Sequence, residues 1–149
     1  MNKRDCLALS FALLLPAIAV AAPVKRTEML GEAKQQIKPL DSTVYSRLWS
    51  TPVSITETGS TAIIKFEEYD GSVSTWRLKR KGTKYIKWIK KKAPTPPRRY
   101  GYTSCKSEEY LQLNLRGPKN YVSGMWRMTC QHPWGSNTGY NAMLIYLPR

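Results

Sequence analysis

Two segments of the chain alternate between apolar and polar positions with the period of a half-buried strand. In TAIIKFEEYDGSVSTWRLKRK (61–81), a two-residue turn at Asp70-Gly71 would pair Ile64 with Arg77 and mix the faces. A three-residue loop, Tyr69-Asp70-Gly71, instead pairs Phe66 with Ser74, Ile64 with Trp76 and Ala62 with Leu78. Ala62, Ile64, Phe66, Trp76 and Leu78 then share one face, and Lys65, Glu67, Arg77 and Lys79 the other. Gly71 falls at the left-handed position that such a loop requires, so the pattern predicts this hairpin. The second segment, YLQLNLR (110–116), turns Leu111, Leu113 and Leu115 inward and Gln112, Asn114 and Arg116 outward. With GPKN as the turn, the return strand YVSGMWRMTC (121–130) places Val122, Trp126, Met128 and Cys130 on the inner face. That register sets Leu115 against Val122 and Leu111 against Trp126, and brings Cys130 opposite position 107.

The remaining segments are less regular. YNAMLIYLP (140–148) is apolar on both parities, which predicts a central strand. QHPWGSNTG (131–139) reads as a loop from its composition. KYIKWIKKK (84–92) fits a strand with Ile86 and Trp88 on one face, or a helix with Tyr85, Trp88 and Ile89 on one side. A helix ending before Pro94 is too short to be stable alone, so a third strand of a meander is favoured, with Trp76 and Trp88 assigned to the core. APTPPRR then forms a stiff, extended connection. In residues 22–41, Met29, Leu30, Ala33 and Ile37 have helical spacing before Pro39, which predicts an N-terminal short helix or arm. Residues 42–149 are expected to form one β-rich domain, an all-β antiparallel sandwich or partly open barrel.

The N-terminus follows a different pattern. MNKRDCLALSFALLLPAIAVAAP carries Lys3 and Arg4, then an apolar run, then small residues at Ala19 and Ala21. This is the order of a secretory signal peptide over residues 1–21, cut after Ala21. The run is shorter than a bilayer span and Pro16 interrupts it, so no transmembrane helix is expected after processing. Cleavage removes Cys6 and leaves Cys105 and Cys130, an even pair that reads as a disulfide in an exported chain. Closing that loop stabilises the fold by roughly 3.5 kcal/mol in the chain-entropy model.

Charge changes the picture most. The chain carries a formal net charge of +14, and loss of Lys3, Arg4 and Asp5 lowers it by one. Between Gly71 and Lys106 there are twelve lysines and arginines and no carboxylate, whereas Glu57, Glu67, Glu68 and Asp70 precede the block and Glu108 and Glu109 follow it. One or two lysines on a sheet edge merely prevent edge-to-edge aggregation. Twelve exceed that need and predict attraction of polyanions. The binding candidates are Arg77, Lys79, Lys81, Lys84, Lys87, Lys90, Lys91, Arg98 and Arg99, with Tyr100 and Tyr102 as stacking or sugar-contacting groups. Lysine dominates, and as a point charge it favours broad electrostatic attraction over base-specific readout.

No motif for a metal, a cofactor or a nucleophile is present. The lone imidazole, His132, lies in the Pro/Gly/Ser/Asn segment with no defined partner, so no catalytic residue is assigned. The sequence therefore predicts an exported, non-catalytic binding or accessory protein whose partner is an anionic polymer (envelope glycan or nucleic acid), a lipid headgroup at a membrane surface, or an acidic protein. Two alternatives stand beside it. One is a small secreted nuclease-like enzyme or toxin using His132 with Glu108 or Glu109. The other is a structural subunit of an envelope or secretion assembly.

Overall fold

The computed structural model describes residues 23–40, 42–93 and 101–149; the expected signal peptide, residues 1–21, lies outside them. Eight strands follow in chain order: β1 (Lys25–Lys38), β2 (Tyr45–Glu57), β3 (Thr61–Glu67), β4 (Val73–Lys81), β5 (Lys84–Ala93), β6 (Ser104–Asn114), β7 (Asn120–His132) and β8 (Gly135–Leu147). Each pairs antiparallel with its neighbours, and β8 closes on β1 from Glu32–Tyr146 to Lys38–Tyr140. The result is a closed up-and-down barrel in which every strand pairs on both sides, although β4 meets β5 only at Lys79–Lys81.

Closure corrects two expectations. The architecture is neither a sandwich nor a partly open barrel. Residues 25–38 form strand β1, not a helix or arm, because Gly31, Ala33 and Gln35 point inward with period two and their backbone pairs with β2 and β8. The helical spacing of Met29, Leu30, Ala33 and Ile37 was coincidental to that period. Leu30 is 61 % exposed on the outer wall.

The first hairpin has the predicted register, with Phe66 opposite Ser74, Ile64 opposite Trp76 and Ala62 opposite Leu78. Gly71 has φ +83° and donates its N–H to the Glu68 carbonyl. The second hairpin keeps the predicted faces but slides by two positions. Leu113, not Leu115, faces Val122; Leu111 faces Gly124; and Cys105 lies directly opposite Cys130, with which it forms the disulfide. The slide follows from a longer connection, residues 115–119, in place of the GPKN turn. Residues 131–139 are not a loop: β7 runs to His132, Pro133 and Trp134 make the turn, and β8 starts at Gly135.

Val53, Ile55, Ala62, Ile64, Phe66, Trp76, Leu78, Leu111, Leu113, Val122 and Ile145 fill the interior. Trp76 meets Phe66 and Trp126 edge to face, with ring centroids 4.8 and 5.4 Å apart. Trp88 corrects a further expectation: it stands on the outer wall, 58 % exposed, because Tyr85, Lys87 and Ile89 are the inward residues of β5.

The two ends differ. At the end carrying connections 58–60, 82–83 and 115–119, here called the base, Tyr85 spans from β5 to β2 and donates its hydroxyl to Glu57 Oε1 at 3.0 Å. Burial, reinforced by that hydrogen bond, raises the Tyr85 pKa above the ordinary tyrosine value. Toward the other end, the mouth, two polar pairs enter the interior. Gln35 Nε2 donates to Asn141 Oδ1 at 3.0 Å, and Lys87 Nζ pairs with Glu109 Oε1 at 3.0 Å.

Candidate anion-binding groove and barrel mouth

Strand alternation divides the basic block between two faces and two ends. On β4, Trp76 and Leu78 are inward, so Arg77, Lys79 and Lys81 point out. Lys84 faces Lys81 across the β4–β5 turn, which places Lys79, Lys81 and Lys84 at the base. Lys87 is inward and held by Glu109. Lys90 is outward, 4.0 Å from Glu108 Oε1 and 4.5 Å from the centroid of the Trp88 ring. Lys91 and Lys92 reach the mouth, far along β5 from Lys84. Tyr102 is buried to 6 % exposure against Cys105 and Cys130 and accepts a hydrogen bond from Asn137 Nδ2 at 3.0 Å. Arg98, Arg99 and Tyr100 lie outside the described residues.

What the structure brings together is the mouth end of the wall made by β5, β6 and β7. Outward residues form two ladder rows there, Lys90–Glu108–Arg127 and Lys92–Lys106–Thr129. They line a groove of about 610 Å³ with Lys91, Ser104, Cys105 and Ser107. Five cations (Lys90, Lys91, Lys92, Lys106 and Arg127) and three hydroxyls thus surround one carboxylate, Glu108. That carboxylate is already engaged: Arg127 Nη2 hydrogen-bonds one oxygen and Trp88 Nε1 donates to the other at 2.8 Å. The hydrogen bond from Arg127, then that from Trp88, hold the Glu108 pKa below the usual carboxylate value. Among the described residues no carboxylate pairs with Lys91, Lys92 or Lys106.

Lys92, Lys106, Arg127 and the hydroxyls of Ser104 and Thr129 were not singled out by the sequence reading. Parity places Lys92 beside Lys90 on one face of β5, but Lys106 and Arg127 join them only through the β5–β6–β7 register, across a connection of unpatterned sequence.

The inner side of the same wall carries two further rows. Ile89–Glu109–Trp126–Asn141 lies deeper and Lys91–Ser107–Met128–Gly139 nearer the rim. Apart from Asn141, these residues bound a cavity of about 460 Å³, with Pro39 and Leu40 beside them. Four residues, Lys91, Ser107, Glu108 and Arg127, line both this cup and the groove.

His132 sits at the tip of the β7–β8 hairpin, its Nδ1 accepting the Trp134 N–H at 3.2 Å and its ring 6.0 Å from that of Tyr102. Glu108 pairs with Arg127, five positions before His132, a separation of roughly 17 Å along the strand. Glu109 is on the inner face. No hydrogen-bonded acid–base pair joins His132 to either carboxylate. No cluster of three or more His, Cys, Asp or Glu positioned for a metal occurs among the described residues. Comparison with protein-family models, with curated proteins and with solved structures finds no match to this chain.

Proposed function

We propose that this is an exported, non-catalytic binding protein that holds a polyanion in the groove across β5, β6 and β7. The observation that carries this reading is the groove's composition: five cations and three hydroxyl donors around a single carboxylate already neutralised by Arg127. Cations on three strands, lysines on β5 and β6 and Arg127 on β7, present charges along a concave surface, a pattern that suits a chain of repeated phosphates or sulfates. The rigid wall fixes their spacing without cost to the ligand. Export is supported by the residues 1–21 pattern and by the Cys105–Cys130 disulfide, a bond that persists in oxidising compartments.

A charge-matched comparison tests the groove. Lys91, Lys92 and Lys106 are replaced together by Gln, and separately Lys79, Lys81 and Lys84 at the base. Binding of a phosphate polymer of defined length is then measured at low salt. The groove variant is expected to bind about tenfold more weakly or worse, and the base variant to lose less than about threefold. Equal losses in the two variants would mean that net charge alone attracts the polymer, and the groove assignment would fail.

A further inference from the structure

The cup inside the mouth has a chemistry that polyanion binding leaves unused. Ile89, Trp126, Met128 and Leu40 present apolar surface to it, and below them Trp126 rests on Trp76 of the filled core. Most small eight-stranded barrels either fill their interior with side chains or keep room for one ligand, and this barrel does both at different depths. The volume, about 460 Å³, lies in the range of small-ligand sites, which favour barrel mouths. Apolar surface lining an open cup gains from any apolar group that displaces water from it.

The polar groups of the cup have a definite balance. Its carboxylate, Glu109, is held by Lys87 at 3.0 Å, which cancels the negative charge within the wall. The second carboxylate that borders it, Glu108, is bound by Arg127 and Trp88. Lys38 donates to the Thr138 carbonyl at 2.7 Å. Lys91 stands in the rim row beside Ser107 with no carboxylate partner among the described residues. The rim is therefore positive while the walls are apolar.

We infer that the cup is a second binding site, one that takes a single alkyl or acyl chain bearing an anionic head. The chain lies against Ile89, Trp126 and Met128, and Lys91, with the Ser107 hydroxyl, engages the head at the rim. Lys91 and Arg127 both line the groove as well; Arg127 is held by Glu108, so the two ligands compete for Lys91. The cup itself stands on the inner rows and does not depend on the polyanion reading.

Decyl phosphate below its micellar concentration is the probe, with inorganic phosphate, decanol and the phosphate polymer as companions, all on the disulfide-bonded protein. Intermolecular NOEs are expected from the alkyl protons to the methyls of Met128 and Ile89 in the unaltered protein. Decyl phosphate is expected to bind about tenfold or more tightly than either inorganic phosphate or decanol, to weaken about tenfold in Lys91→Gln, and to be displaced by the polymer. Decyl phosphate binding no better than inorganic phosphate, with no NOE to the cup, would overturn the inference while leaving polymer binding in the groove intact. Decanol binding as tightly as decyl phosphate would overturn the anionic part of the assignment, and with it the role of Lys91. Decyl phosphate NOEs in a protein that binds no polymer would retain the cup and remove the groove reading instead.

Discussion

At the scale of single residues, Gly124 decides how the tryptophans fill the barrel. A Cβ at this position would lie 2.5 Å from Trp76 Cη2, 3.0 Å from Trp126 Cη2 and 3.1 Å from Leu111 Cδ2. Two indole rings cannot both retreat, because Trp76 already abuts Phe66. Gly124→Ala is therefore expected to destabilise the fold by about 1–3 kcal/mol, the usual range for an overpacked core. Urea unfolding measures this, and an unchanged midpoint would mean the rings are not packed as described. The same scale shows a limit of reading sequence. Trp76 and Trp88 both occur beside β-branched and basic residues, yet one is core and the other is 58 % exposed. Trp76 was assigned correctly because its hairpin has a defined turn. Trp88 was not, because both parities of β5 mix apolar residues with lysine and only pairing with β6 settles which faces inward.

At the scale of elements, one carboxylate joins three adjacent strands on the outer wall. Glu108 of β6 accepts from Trp88 of β5 and Arg127 of β7 and lies 4.0 Å from Lys90. Its pKa is held below the ordinary value near 4.5, first by the Arg127 hydrogen bond and then by that of Trp88. A depressed carboxylate pKa stabilises the fold fully above the unfolded value, and that contribution is lost as pH falls through the folded value. Glu108→Gln should thus be less stable than the parent at pH 7 and pH 5 by a similar margin, with the gap narrowing at a third pH well below the ordinary carboxylate value of 4.5. Urea midpoints at the three pH values test this; a gap that stays constant down to the lowest would contradict the assignment. Element registers were legible where a turn was. The Tyr69-Asp70-Gly71 loop fixed β3 against β4 in the correct register. For β6 against β7 alternation gave the faces, but the period of two cannot distinguish registers that differ by two, and the longer 115–119 connection selected the one that sets Cys105 opposite Cys130.

At the scale of the whole molecule, closure is the property that the sequence did not reveal. It depends on β1 pairing with β8, an interaction between the two ends of the described chain that leaves no local mark on either strand. The apolar character of both parities of β8 was visible, and β8 is indeed flanked by strands on both sides, although Tyr146 on its outer face is 47 % exposed. Closure also determines what the basic block becomes. A continuous run in sequence is divided among the base, the interior and the mouth, where β6 sets Lys106, the last residue of the run, beside Lys92 and β7 adds Arg127. A polyanion should consequently recognise one stretch of wall, not the whole block. Backbone amide shifts in a two-dimensional NMR titration with a short phosphate polymer test this most directly. The account predicts shifts concentrated at Lys90–Lys92, Ser104–Glu108 and Arg127–Thr129, diminishing as salt is raised. Shifts of equal size at Arg77–Lys84, or none in the groove at saturating polymer, would contradict it.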